Sequence, residues 1–542
     1  MCSCPKPSGA DVHEEIDMLV ADAFVVDGSG APGRPGTVVV RGDRIEAILG
    51  PSDAEPVAIR RFDAGGKVLA PGFVDVHCHS DMTPFVEPAM ESMIRQGVTS
   101  CVVGNCGGSA FPVEGAPELA ALAGTDPAGL VFDWETFADY LDRVDACAPA
   151  MNIAALVGHG TLRQAAMGQE RRPPTLEEMA HMRGLLASAL EVGAVGLSTG
   201  LIYAPGLHAT TDEIASLASE LSERGGIYAS HIRGEGETVF DSIRECIDVG
   251  RRAGVPAHVS HLKVEGQPMW GRAPELLALI DAERARGADV TADQYPYTAW
   301  ETELATALPP WTSPVELPEV LADPGARSRL ARSIEEGEPG WKSIAQSIGW
   351  DRVVVVSHAG APELTGRSIA EIAAERGADP VQVIAELLIA DRFTGILGHG
   401  MAEEDVRVIV ARSDVFVATD ALAVAPTGPL GPFNVHPRYY GTFPRVLARY
   451  VRDERLLSLP DAIRKMTSLP AARFGLTGRG EIRNGAFADL VVFDPERVAD
   501  RATFDHPHAF AEGIDLVAVN GKVAWDGAPG ERAGRSLRRG EA

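Results

Sequence analysis

Two histidines one residue apart, His77 and His79, end the apolar run "GFVDVHCH", with Cys78 wedged between them. Side chains two positions apart along a strand share a face, so Asp75, His77 and His79 point one way and Cys78 the other. Two imidazoles roughly 7 Å apart on one strand can lean toward a single divalent cation, and histidine is the commonest metal ligand near neutral pH. Taken alone, the pair is equally well read as a strand that merely ends in two histidines. Further donors appear downstream: His231 in "IYASHIR" and His261 in "PAHVSHLK" each follow an apolar run, Cys106 ends "TSCVVGNCG", and Asp420 ends "VFVATDA". Imidazole, thiolate and carboxylate are the ligand types that zinc prefers.

These residues need elements to hold them. The runs already named, with "NIAALVGHG", "AVGLSTG", "DVTADQYPY", "RVVVVSH" and "TGILGHG", read as short strands. Between them lie segments such as "TLEEMAHMRGLLASALEVG" and "TTDEIASLASELSERGG", which have helical apolar spacing and end in glycine. Strand–helix alternation calls for a parallel sheet. About eight repeats make an α/β fold with a closed (β/α)8 barrel the leading expectation, over residues 69–475, with an open doubly wound sheet as the alternative. A barrel also gathers strand-end polar residues on its C-terminal face. Residues 1–68 and 476–525 share a strand-and-turn texture, which predicts one small β-domain assembled from both chain ends. The stretch from Thr298 to Lys342, with Trp300, Trp311 and Trp341, exceeds an ordinary loop and is expected to form a lid-like excursion. Residues 526–542 read as a flexible tail.

Composition narrows the class. The chain of 542 residues carries 49 basic and 76 acidic side chains, a formal charge of −27, which argues against nucleic-acid or anionic-membrane partners. No apolar run is long enough to span a membrane, and the first residues lack the apolar core of a signal peptide, so a cytoplasmic location is expected. The seven cysteines are odd in number and scattered, which is no disulfide framework. Cys2 and Cys4, in "CSC", read as part of a solvated tail rather than as a metal clip. "GEGE" after His231 lacks the Lys-Ser/Thr of a phosphate loop, but it puts Glu235 where it can brace a metal-bound histidine.

The segments "GFVDVHCHSD", "VVGNCG", "SHIRGEGE", "SHLK", "YPYTA", "VATDA" and "HPRYYGTFPRVLARYVR" resemble the N-acyl-D-amino-acid deacylases, the D-aminoacylase branch of the amidohydrolase superfamily, in one order over nearly the whole chain. The resemblance implies a (β/α)8 barrel with a small β-domain and zinc-dependent hydrolysis of the amide of a small-molecule N-acyl-D-amino acid. It matches Cys106, His231 and His261 to a tightly held zinc, and His77 and His79 to a second, weaker site that Cys106 would bridge. Asp420 matches the catalytic carboxylate, and Lys263, Tyr295 and Arg438 match groups that hold the substrate's α-carboxylate.

The lysine inventory tests this placement. Hydantoinases and dihydroorotases generally bridge two metals with a carboxylated lysine on the fourth strand, whereas no lysine lies between Cys106 and His231 and the fourth-strand candidate reads "AVGLSTG". The Cys106 thiolate is the anionic substitute at hand. No Lys or Arg lies between Asp293 and Gly325, so an apolar or small D-side chain is expected, with the tryptophans as walls. Departures from the family pattern fall where substrate fits: "WETEL" after "YPYTA", "TDA" in place of "SDG", and a long "ALAVAPTGPLGPFNV" before "HPR". The competing readings are an amidohydrolase acting on another linear or cyclic amide, peptide-like or hydantoin-like, and a non-catalytic metal-binding protein, for which Asp420 has no obvious use. His159, His358 and His399 also end apolar runs; His159 is a candidate for lining the pocket and the other two are expected in loops.

Overall fold

The computed structural model describes residues 16–117, 129–431 and 436–541. Cys2, Cys4 and the end of the "ALAVAPTGPLGPFNV" stretch lie outside these residues. Eight parallel strands form the barrel: β1 (Phe73–Asp75), β2 (Val98–Val103), β3 (Asn152–Gly158), β4 (Gly196–Gly200), β5 (Ile227–His231), β6 (Ala257–Val259), β7 (Val290–Gln294) and β8 (Val415–Val417). Neighbours in sequence are neighbours in the sheet. The ring closes just beyond the ends of β1 and β8, where the Asp420 amide donates to the His77 carbonyl at 2.8 Å and the His79 amide to the Ala421 carbonyl at 2.9 Å.

The barrel strands are buried almost throughout, which explains why they read as runs of apolar and small residues without alternation. The polar exceptions pair with one another inside: the Thr199 hydroxyl lies 2.9 Å from that of Ser230 and 3.0 Å from that of Tyr228. Helices on the outside begin and end as the sequence dictates. Thr175 and Glu178 form a reciprocal cap at the start of Leu176–Val192, and Gly193, at φ 115°, ends it in a conformation that a β-carbon disfavours.

The second layer is the small β-domain, and it draws on both chain ends. Its strand order is Lys522–Trp525, Ile514–Val519, Leu490–Phe493, Val68–Pro71, Ile16–Val25, Arg34–Arg41, Arg44–Leu49, with Ala58–Asp63 also paired to Ile16–Val25. Its core is a separate apolar cluster including Val20, Val38, Leu69, Leu490, Val492 and Leu516.

Two expectations are corrected. "RVVVVSH" and "TGILGHG" are not barrel strands: Gly395–Gly398 is the centre of a three-stranded sheet and pairs antiparallel with Val353–Ser357 on one side and Trp300–Glu303 on the other. The insertion between β7 and β8 therefore continues well past Lys342. An apolar run of five residues does not carry its own topology; Val353–Ser357 is part-exposed at Val354 and Ser357, unlike the wholly buried β3, β4 and β5. The tail from Asp526 is also not free. β4 pairs with β3 at Leu156–Gly158, which leaves the edge at Ile153 and Ala154 open, and Ser536–Leu537 fills it as a parallel strand. Asp145 accepts from the Ser536 amide at 2.5 Å and its hydroxyl at 2.8 Å, and the Arg539 amide donates to the Gly193 carbonyl at 2.9 Å. Composition rich in Gly and Arg hid this, because the partners are backbone groups elsewhere. Among the described residues no helix is long and apolar enough to cross a membrane.

Candidate metal and catalytic centre

Five strand ends deliver side chains to one place on the C-terminal face of the barrel. His77 and His79 follow β1, Cys106 follows β2, His231 ends β5, His261 follows β6 and Asp420 follows β8. Three of them, Cys106 (φ 53°), His261 (φ 35°) and Asp420 (φ 51°), sit in the left-handed region that non-glycine residues avoid. Each lies where the chain turns sharply off its strand, and hydrogen bonds hold the turn: the His261 amide donates to Asp293 Oδ1 at 2.8 Å, as the Asp420 amide does to His77.

The donor atoms form two sets that share one sulfur. Cys106, His231 and His261 make the first, with His261 Nε2 at 2.8 Å from His231 Nδ1 and 3.6 Å from Cys106 Sγ. His77, His79, Cys106 and Asp420 make the second: His77 Nε2 lies 3.2 Å from Cys106 Sγ, and His79 Nε2 3.0 Å from Asp420 Oδ1. Within each set all donors lie within 4.8 Å of one another. Thiolate with two imidazoles, next to imidazoles and a carboxylate, is a donor chemistry that fits zinc. The structure thus gathers every ligand candidate named from sequence.

Electrostatics favour the ligand form of Cys106, Asp420 and His231, while the surrounding anionic groups hold His77, His79 and His261 up. Burial alone would raise the Cys106 thiol, but the His77 charge and hydrogen bonds from His231, His261 and His77 hold it well below its usual range. Burial likewise works against ionised Asp420, and Arg438, His261 and His77 outweigh it, keeping the carboxyl well below the usual carboxylate range. Burial and the neighbouring His261 push His231 down, toward the neutral form a metal needs.

A surrounding shell of carboxylates orients these ligands. Asp293, at the end of β7, accepts from His258 Nε2 at 2.7 Å, lies 3.5 Å from His77 Nδ1 and holds the His261 amide. His77 thereby presents Nε2 to the centre. Glu235 Oε1 lies 2.9 Å from His261 Nδ1 and 2.6 Å from Lys263 Nζ, so it braces the metal-facing histidine as its position after His231 indicated. Asp75 binds the Thr419 hydroxyl at 2.5 Å and the Thr419 amide at 3.0 Å, tying β1 to β8. Sequence reasoning missed Asp293 and Thr419.

Beside the centre stand the groups assigned to the substrate's carboxylate. Arg438 Nη1 donates to Asp420 Oδ2 at 2.7 Å, and its guanidinium carbon lies 4.9 Å from the centre of the Tyr295 ring. The Tyr295 hydroxyl is buried with no hydrogen-bond partner among the described residues. Lys263 Nζ faces the same ring at 5.5 Å. Other expectations fall away from the centre. His159 is buried against Glu213 at 2.9 Å, which also holds Arg163, and so serves a separate structural ion pair. Trp300 packs over Gly398, where a β-carbon would meet the indole, and Trp311 lies under Arg329 with its N–H 3.1 Å from Glu338. These two tryptophans build the insertion rather than wall a pocket.

Residues 60–524 match the model of the amidohydrolase family. The chain is 43% identical to a D-aminoacylase of Alcaligenes xylosoxydans xylosoxydans over 97% of its own length and 98% of that protein's. It is 40% identical to an N-acyl-D-glutamate deacylase of the same organism, over 97% and 98%. The crystal structure of N-acyl-D-glutamate deacylase from Bordetella bronchiseptica, complexed with zinc and a phosphonate mimic of the tetrahedral intermediate, superposes with a TM-score of 0.81 at 37% identity, covering 97% of this chain and all of that one. With a closed parallel barrel, two metal-donor sets joined by a cysteine, and relatives matched from end to end, this chain belongs to the amidohydrolase family, in its N-acyl-D-amino-acid deacylase branch.

Proposed function

We propose that the protein hydrolyses the amide bond of N-acyl-D-amino acids to a carboxylate and a free D-amino acid, with zinc held by Cys106, His231 and His261 and a weaker second site at His77 and His79. The observation that carries this reading is the Asp420 carboxylate, kept ionised by Arg438 within the donor set that shares Cys106 with the first. Zinc bound there supplies Lewis acidity toward the acyl carbonyl. Asp420 takes a proton from the attacking water and delivers it to the amide nitrogen, which must be protonated to leave. Arg438 holds Asp420 Oδ2, and Oδ1, beside His79 and His77, is the oxygen placed among the metal donors to exchange the proton.

Arg438, Lys263 and Tyr295 receive the substrate's α-carboxylate. Lys263 has three N–H groups; Glu235 Oε1, at 2.6 Å, engages one and leaves donor capacity for substrate. The absence of Lys and Arg from Asp293 to Gly325 supports side chains without negative charge, apolar ones included. The zinc and phosphonate in the Bordetella bronchiseptica structure support the same reaction class. The test is hydrolysis of matched N-acetyl-D- and N-acetyl-L-amino acids by zinc-loaded protein, with metal counted on the same sample. Release of D-amino acid alone supports the reading, and no release from either enantiomer with zinc present rules it out.

A further inference from the structure

Resting on the deacylase reading, we propose that Glu301 sets the side-chain preference of this site and that its favoured substrates are N-acyl-D-amino acids with a cationic side chain, of the N-α-acyl-D-lysine or D-arginine type.

The strand Trp300–Glu303 is linked to the centre through two of its side chains. Thr302 meets the Tyr203 hydroxyl at 3.1 Å, and the Tyr203 ring packs edge-on to His231 with centroids 5.0 Å apart. One residue earlier, Glu301 Oε2 accepts from the His436 amide at 3.3 Å, on the turn whose Arg438 holds Asp420. The Tyr439 hydroxyl also bonds to Glu301. A carboxylate has about four acceptor positions, so two such bonds leave capacity for a further donor. Glu301 keeps partial exposure as a residue although its carboxyl is largely desolvated, and it lies in the field of Arg438, the group proposed to hold the α-carboxylate.

The charge balance favours a cation there. The basic groups at the mouth already have carboxylate partners: Arg438 has Asp420, Lys263 has Glu235, and Arg171, which reaches over to the Trp311 carbonyl, has Glu316. Glu301 has backbone and phenol donors and shares the field of Arg438, while Glu303, two residues on, adds negative charge near Tyr203. Burial pushes the Glu301 carboxyl up, against the pull of Arg438; an ammonium or guanidinium arriving beside it favours the ionised form. An anionic side chain placed there meets like charge.

The experiment compares N-α-acetyl-D-lysine with N-α,N-ε-diacetyl-D-lysine, a neutral analogue of the same backbone, together with N-acetyl-D-leucine and N-acetyl-D-glutamate, on the zinc-loaded full-length enzyme and its Glu301→Gln variant. The expected result is a kcat/KM for the D-lysine substrate about tenfold above the neutral analogue, expressed in KM, with D-glutamate lowest; in Glu301→Gln the lysine-to-neutral ratio falls to about one. Faster turnover of D-leucine or D-glutamate than of D-lysine by the parent enzyme overturns the proposal and leaves the deacylase reading standing. An equal loss on charged and neutral substrates in Glu301→Gln also overturns it, making Glu301 a positioning group for Arg438. No hydrolysis of any of the four overturns both.

Discussion

Cys106 and Asp420 both border the donor sets, yet their removal should separate binding from chemistry. Cys106 belongs to both sets, so Cys106→Ala is expected to lose bound metal and activity together, read by metal analysis after gel filtration. Asp420→Asn is expected to keep the metal held by Cys106, His231 and His261 while turnover falls about 10³-fold, since a positioned acid–base group contributes about 10²- to 10⁴-fold. A variant without metal but with normal activity would contradict the assignment of Cys106. The ligand candidates were legible because each ends an apolar run, and strand ends of a barrel share a face. Asp293 and Thr419 were not, because their meaning lies in partners distant in sequence: Thr419 acts on Asp75 and Asp293 on His77. Nothing in the local pattern of either residue announces such a bond.

Among the elements, the helix Leu459–Met466 carries a lysine with an unusual task. Lys465 is buried and donates to the carbonyls of Val410 and Arg412 at 2.7 and 2.8 Å, closing the C-terminal end of Glu403–Val410. Burial lowers its pKa from the ordinary 10.5 to about 7, so between these values the unfolded chain binds the proton that the folded one has released. Its contribution to stability is therefore full above about pH 10.5 and is lost as pH falls toward 7. The melting-temperature difference between the parent and Lys465→Met is expected to move in the parent's favour from pH 7.5 to 9.5; a pH-independent difference would refute the shift. The C-terminal strand makes a second case. Deleting residues 534–542 uncovers the β3 edge at Ile153 and Ala154 and unpairs Asp145, and a loss of about 1–3 kcal/mol is expected from denaturant unfolding. The sequence concealed this strand because two residues have no periodicity. It likewise placed "RVVVVSH" and "TGILGHG" in the barrel, since short apolar runs serve antiparallel and parallel sheets equally.

For the whole molecule, five strand ends converge on donors that a shared cation would tie together. Removing metal with a chelator is expected to lower the melting temperature, and adding zinc back to restore it; a ligand at a thousand times its Kd contributes about 4 kcal/mol. An unchanged melting curve on metal removal would mean that the hydrogen bonds of Asp293, Glu235 and Asp75 suffice to hold the site. Strand–helix alternation made the barrel readable, and the shared strand-and-turn texture of the two chain ends did the same for the small domain.

The interleaving of those ends has a consequence for how the chain is made. Val68–Pro71 finds one neighbour early, in Ile16–Val25, but its other neighbour, Leu490–Phe493, emerges from the ribosome more than four hundred residues later. At roughly 5–20 residues per second, that edge waits on the order of 20–80 s with its backbone unpaired and its apolar side chains uncovered. Throughout synthesis the small domain is thus a half-sheet, held open while the barrel forms between its two parts. The hazard of premature association is set by topology, and slower translation of the residues between Pro71 and Leu490 lengthens it in proportion.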